Sequence, residues 1–176
     1  MRIYSSATHP SKKLGHSKTS SATRYKRMAR YSSLYLPFKP VGYWREKACC
    51  YCGNMASTKD HIPPVVWLEA LGPSYFDSRG LLVVWVPSCR ECNVALGSNK
   101  LFSIRERTGY LIDYYIKKYG KLATVAKWTQ EELDELRGRL KQATTIFAEH
   151  QLGIDRRLAI LEENYSLRSL QDRLPA

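Results

Sequence analysis

The chain has 176 residues, of which 44% are hydrophobic, and a formal net charge of +12. This length suits one ordinary domain with attachments, or two small units, and it excludes two large cores. No run of about 18 uncharged apolar residues occurs, which argues against a membrane span and favours a soluble, cytoplasmic protein. The basic start shows no secretory leader, although its lack of acids is also similar to an organelle transit peptide.

Composition divides the chain into three segments. Residues 1–40 form a basic N-terminal arm, residues 41–102 hold all five cysteines, and residues 103–176 are predicted to be helical. Residues 1–48 contain eleven Lys and Arg against one Glu, so 11 − 1 gives +10 of the total +12. The arm lacks hydrophobic periodicity, which predicts a flexible segment. It is either a solvated tail or a segment that binds the phosphates of nucleic acid.

The cysteines of the middle segment form two matched pairs. Cys49 with Cys52, and Cys89 with Cys92, have the spacing of zinc knuckles, whose tight turns let two thiolates reach one ion at about 2.3 Å. Together they predict one tetrahedral structural Zn²⁺ site. The alternative is a set of buried free thiols or a redox pair. Cys50 is left over, and the odd number argues against a disulfide framework.

Three short elements are predicted in the middle segment. The stretch VVWLEALG (65–72) follows two prolines and ends at a glycine, which favours a short helix. The stretch LLVVWV (81–86) is rich in β-branched residues and precedes Pro87, which favours a buried strand. The second knuckle continues into CRECNVALG, which predicts a short helix ending at Gly97.

The C-terminal segment carries two capping boxes, at Ser103–Glu106 and Thr129–Glu132. The first predicts a helix that stops near Gly120. The second predicts one long helix, or two nearly collinear ones divided near Gly153, with an apolar stripe interrupted at position 151. The stripe consists of Leu133, Leu136, Leu140, Ala143, Phe147, Ile154, Leu158, Leu161 and Tyr165. It is expected to pack against the 104–119 helix and the 166–174 segment; the alternative is a coiled-coil dimer seam.

A shared zinc ion would close the chain between the two cysteine pairs into a loop and bring Asp60, His61 and Asn93 together. A carboxylate and an amide oxygen are hard ligands for a divalent ion such as Mg²⁺ or Mn²⁺. An imidazole titrates near neutrality and can take a proton from an attacking water. These residue types suit hydrolysis at phosphorus, whereas the alternative is an ordinary loop histidine in an inert zinc module.

The motifs CCYC, KDHIPP and PSCRECN, in this order, resemble the HNH, or ββα-metal, endonuclease family. The likeness is strongest to members with four zinc-binding cysteines, such as the phage junction-resolving endonucleases, and it covers roughly residues 48–102. It implies His61 as general base, with Asp60 and Asn93 holding the catalytic Mg²⁺ or Mn²⁺. It also implies the two cysteine pairs as structural zinc ligands and DNA phosphodiester bonds as the substrate.

One family feature is missing. Many members have an Asn about five residues before the third cysteine, where it helps to hold the histidine loop, and the corresponding position here is near Val84. We interpret this difference as a changed support for the loop, because the positions of the base and of the metal ligands are retained.

The sequence therefore predicts an α+β protein with a small zinc-stapled ββα-metal, treble-clef-like core, a basic arm and a helical extension. The predicted activity is metal-dependent HNH endonuclease cleavage of DNA, with Arg90, Lys100 and Arg105 contacting the strand. The alternatives are a non-catalytic zinc-dependent nucleic-acid-binding protein and a helical assembly subunit. The C-terminal helices could also form a homodimer or dock onto a larger complex, such as a phage packaging apparatus or a sensor of a defence system.

Overall fold

The computed structural model describes residue 26, residues 29–38 and residues 47–171. It confirms the α+β class, with one small sheet and mainly helical structure after it. Within these ranges, no helix is both long enough and apolar enough to cross a membrane.

The elements follow one another along the chain with short connections. A 3-10 turn at Ser32–Leu34 precedes the first strand. The strands and helices are β1 (Leu36–Pro37), β2 (Thr58–Ile62), α1 (Val65–Leu71), α2 (Pro73–Asp77), β3 (Val84–Ser88), α3 (Arg90–Leu96), α4 (Ile104–Ala123), α5 (Gln130–Glu135) and α6 (Gly138–Gln171).

The sheet has the order β1-β3-β2, with β1 parallel and β2 antiparallel to the central β3. The predicted strand at 81–86 is confirmed in part, because pairing begins at Val84 and runs on through Pro87 to Ser88. A proline is tolerated there because β1 reaches only as far as Trp85. Beyond the end of β1, the Pro87 carbonyl accepts a hydrogen bond from the Cys50 amide at 2.9 Å.

Residues 29–38, which belong to the predicted arm, lie against this sheet. Tyr35 is buried, and its hydroxyl donates to the carbonyl of Pro63 at 2.7 Å. The segment packs because Arg30 is its only basic residue and because Tyr31 and Tyr35 join a hydrophobic cluster that includes Leu68 and Trp67. Residues 1–25, 27, 28, 39 and 40, where the rest of the arm falls, lie outside the described residues.

Two hydrophobic clusters lie on opposite sides of the sheet. The first, the knuckle cluster, joins all five cysteines to Leu111 and Tyr115 of α4 and Leu161 of α6. The second, the outer cluster, is centred on Tyr35, Leu68 and Phe76, and its partly buried members include Trp67, Tyr75, Trp85 and Phe102. The first cluster therefore connects the cysteine segment with the helical extension.

Prolines, N-cap residues and capping boxes in the sequence predicted most helix starts correctly. The predicted helices at 65–72 and after the second knuckle are confirmed as α1 and α3. Both capping boxes form, at the starts of α4 and α5. However, α4 continues to Ala123 instead of ending near Gly120, since the Thr124 amide still bonds to the Gly120 carbonyl.

The predicted long helix is interrupted near its start and not at Gly153. Leu136 is extended, with ψ of 155°, and Gly138 has φ of +57° at the beginning of α6. A positive φ suits glycine, so the chain turns there and a new helix starts. Gly153 lies inside α6, which also takes in residues 166–171, so the predicted packing against a separate 166–174 segment is wrong for those residues.

Packing of α6 along α4 confirms the predicted association within the chain. Ile154 and Leu161 of the stripe are buried, whereas Leu140 is exposed. The interruption at Gln151 is also buried, because its amide Nε2 donates to the carbonyls of Leu122 and Val125 at 2.9 and 3.3 Å. The polar side chain thus satisfies carbonyls at the C-terminal end of α4.

Candidate metal centre and the residues around it

The four paired cysteines converge, as their spacing predicts. The sulfurs of Cys49, Cys52, Cys89 and Cys92 all lie within 4.8 Å of one another, and all four residues are buried. The Cys52 and Cys89 sulfurs are 3.7 Å apart, close to the separation of about 3.8 Å that a tetrahedron with Zn–S bonds of about 2.3 Å requires. These donors fit a structural Zn²⁺ ion.

Local backbone turns place each pair. In the first turn, the Gly53 amide bonds to the Cys49 carbonyl at 3.0 Å, and Gly53 has φ of +72°. In the second, Cys89 is the N-cap of α3, and its sulfur accepts from the Cys92 amide at 3.4 Å. The second pair therefore depends on a helix start that the sequence already indicates.

The four sulfurs are close enough to exchange hydrogen bonds, and these shift the pKa values of the thiols. Hydrogen bonds from Cys52, and then from Cys89 and Cys92, lower the pKa of Cys49, whereas hydrogen bonding to Cys49 raises that of Cys92. These hydrogen bonds therefore stabilise a thiolate at Cys49, the form of cysteine that binds zinc. The Tyr115 hydroxyl lies 3.6 Å from the Cys92 sulfur and brings α4 up to the cluster.

Hydrogen bonds from Asn164 and Arg157 join α6 to the two knuckles. The Asn164 amide Nδ2 donates to the carbonyl of Tyr51 at 2.9 Å. Glu91 of α3 accepts hydrogen bonds from Lys118, Tyr119 and Arg157. Although burial acts to raise it, these bonds lower the pKa of Glu91 to about 2. Glu91 therefore remains ionised and joins α3 to α4 and α6.

Asp60 is buried on the inner face of β2 in an ion pair. Arg107 donates from Nη2 and Nε to the two carboxylate oxygens at 2.6 and 2.8 Å, and Tyr51 donates its hydroxyl at 2.5 Å. Asp60 is 2% exposed and Arg107 0%. Burial raises the pKa of the Asp60 carboxyl, and the Arg107 charge opposes that shift. Such a bidentate pair is strong only because both charges are matched.

His61 faces the other side of the sheet from Asp60, because successive side chains of a strand alternate. It pairs with Trp85 across the ladder, and its ring meets the Tyr35 ring edge to face, with centroids 4.7 Å apart. Burial, and then the charges of Lys59 and Arg107, lower the pKa of His61. The imidazole is therefore held in its neutral form.

Asn93 reaches β2 from α3. Its amide Nδ2 donates to the Thr58 hydroxyl at 3.0 Å and to the Lys59 carbonyl at 3.2 Å. This places Asn93 beside the residues that lead into Asp60 and His61. The two knuckles thus bring residue 93 to the start of the Asp-His strand, while the Asp60 carboxylate points toward Arg107 and the His61 imidazole toward Tyr35.

The three residues predicted to contact the DNA strand lie in different surroundings. Arg90 is exposed on α3. The Lys100 Nζ lies 5.6 Å from the centroid of Trp67, and the Arg105 guanidinium lies 5.3 Å from that of Tyr165. Val84, at the position where the resembled family has an asparagine, is buried and pairs with Ile62.

Sequence reasoning missed Tyr51 and Arg107 as partners of Asp60. The alternation of β2 puts Asp60 on the face of buried Ile62, and a buried carboxylate needs a partner. That signal predicts a cation, but nothing local identifies a residue 47 positions away.

No family model, no curated protein and no solved structure matches this chain. The chain is therefore described here only as an α+β protein with a four-cysteine cluster able to hold zinc.

Proposed function

We propose that this chain is an HNH-type endonuclease that hydrolyses phosphodiester bonds of DNA. The order β2, β3, α3 around the cysteine cluster supports a ββα-metal, treble-clef-like core. One observation carries the proposal: Asn93 is hydrogen-bonded to β2 directly beside the Asp60–His61 pair. A thiolate zinc site also suits a reducing compartment such as the cytoplasm.

His61 is the proposed general base. Its neutral imidazole, on the side of the sheet away from the buried ion pair, can accept the proton of a water that attacks phosphorus. The family resemblance implies that Asp60 and Asn93 hold Mg²⁺ or Mn²⁺, because carboxylate and amide oxygens are hard donors. In the arrangement described here they do not fit that ion, because the Asp60 carboxylate is already neutralised by Arg107.

A nicking assay tests the activity. Zinc-loaded protein is incubated with supercoiled plasmid, with and without Mg²⁺ or Mn²⁺, and nicking is expected. Dependence on the added ion would show that a metal takes part although the Asp60 carboxylate is paired with Arg107. His61→Ala should abolish nicking while zinc content and DNA affinity stay at parent levels. His150→Ala, which removes an exposed histidine of α6, is the matched control and should leave nicking unchanged. Nicking that survives His61→Ala contradicts the assigned base.

The Asp60–Arg107 pair favours a second candidate, a zinc-dependent nucleic-acid-binding protein without catalysis. In that case Asp60 is purely structural, and its partner cation is Arg107 rather than a divalent ion. DNA binding that depends on zinc, without any nicking in Mg²⁺ or Mn²⁺, selects this candidate. Metal-dependent nicking that is lost in His61→Ala selects the endonuclease.

A further inference from the structure

Three exposed cations lie over aromatic rings of the outer cluster. The Lys59 Nζ is 4.2 Å from the centroid of Trp85, the Arg79 Cζ is 3.8 Å from that of Tyr75, and the Lys100 Nζ is 5.6 Å from that of Trp67. The three rings belong to a single cluster and are only partly buried. We call these six residues the aromatic-cation surface.

Two of these residues, Lys59 and Trp85, lie on the face of the sheet that carries His61. Lys59 and His61 are two residues apart on β2, so their side chains share a face. Trp85 is the direct ladder partner of His61. An imidazole, an ammonium group and an indole therefore lie together on the face opposite the buried Asp60.

Rings interleaved with cations have a defined chemical complement. An aromatic ring can stack on any nucleobase, and a cation can pair with the phosphate that follows it. In a duplex the base faces are covered by their neighbours, so only unpaired bases can use the rings. The cations now cover the rings, and their flexible side chains can swing from the ring to a phosphate when a base takes that position.

We propose that the aromatic-cation surface binds single-stranded nucleic acid, stacking unpaired bases on Trp85 and its neighbouring rings and pairing phosphates with the cations. This deepens the proposed function and rests on the chain acting on nucleic acid. It assigns a strand with unpaired bases as the ligand that lies next to His61. A single strand of DNA and one of RNA share this chemistry.

Binding is measured separately from cleavage. Fluorescence anisotropy is recorded for zinc-loaded, full-length protein without added Mg²⁺ or Mn²⁺, using labelled single-stranded DNA, single-stranded RNA and the matched DNA duplex. At equal salt, at least one single strand is expected to bind about tenfold more tightly than the duplex. The DNA and RNA arms identify which strand the surface prefers.

Variants assign the affinity to the surface. Trp85→Leu should weaken single-strand binding about tenfold, while Trp85→Phe, which keeps a ring, should retain most of it. Trp128→Leu is the matched control, because Trp128 is 42% exposed between α4 and α5 and is not a member of the outer cluster. If Trp85→Leu fails to fold, Lys59→Gln with Arg79→Gln gives the same test at exposed positions.

Equal affinity for duplex and single strand, or unchanged affinity in Trp85→Leu and in the double cation variant, would overturn the proposal. So would displacement of the strand by an acidic peptide at equal charge concentration, which would indicate a protein ligand. A preference for a single strand over the duplex, with no nicking after Mg²⁺ addition, would support this inference and reject only the endonuclease. Nicking with no preference for unpaired bases would support the endonuclease and reject this inference.

Discussion

Replacing Arg107 by methionine should reveal how strongly the buried ion pair supports the fold. The substitution removes both guanidinium bonds to Asp60 and leaves a carboxylate that is 2% exposed without its cation. Breaking such a pair costs roughly 3–5 kcal/mol. In a chain of this size that lowers the melting temperature by roughly 6–20 °C.

The assay is urea and thermal unfolding of zinc-loaded protein, followed by circular dichroism. Lys141→Met, which breaks the exposed pair with Asp134, is the control and should leave both midpoints unchanged. Asp60→Asn combined with Arg107→Met should recover at least half of the lost stability, because no buried charge then remains unpaired.

The pH dependence gives a second signature. Arg107 opposes the burial that raises the pKa of Asp60, so its removal raises that pKa further. A carboxyl with a raised folded-state pKa is least costly when protonated, so the stability deficit should shrink as pH falls through that raised pKa toward the unfolded-state value of about 3.9. An Arg107→Met variant whose stability is within about 1 kcal/mol of the parent, with no pH dependence of the difference, would show that the pair with Asp60 does not stabilise the fold.

Two further substitutions test particular contacts. Gln151→Met removes the amide that donates to the carbonyls at the end of α4, and should lower the free energy of unfolding by about 1–2 kcal/mol in urea titrations. Gln130→Met, at an exposed position of α5, is the control and should have no effect. Equal losses of stability in the two variants would contradict the role of the Gln151 amide. Cys52→Ser should lower bound zinc and the melting temperature together, whereas Cys50→Ser should keep one zinc per chain by metal analysis; equal loss of zinc in both would show that Cys50 is a ligand.

Signals that act over a few residues predicted much of this fold. The spacing of Cys89 and Cys92 leads directly into α3, and Ser103 and Glu106 form the capping box that begins α4. Both depend on bonds within one turn of backbone, so neighbouring residues contain the required information. The convergence of the cysteines could also be predicted, because each Cys-x-x-Cys pair forms a local turn and two such turns complete the shell of one zinc ion.

Contacts that depend on distant packing could not be predicted in this way. The partner of Asp60 comes from the second turn of α4, and its identity follows only once that helix lies against the sheet. The break at Leu136 lies within an apolar pattern that runs from Leu133 to Leu140, so the pattern does not reveal the extended Leu136 or the positive φ of Gly138. Gln151 looked like a defect in the stripe because its hydrogen-bond partners lie on another helix.

X-ray absorption at the zinc edge on the full-length protein will show whether the four paired cysteines bind zinc. Because the four sulfurs lie within 4.8 Å of one another, one zinc per chain is expected, with four sulfur neighbours at about 2.3 Å and no nitrogen or oxygen in the first shell. A mixed shell, or protein that folds fully with no zinc bound, would contradict the account.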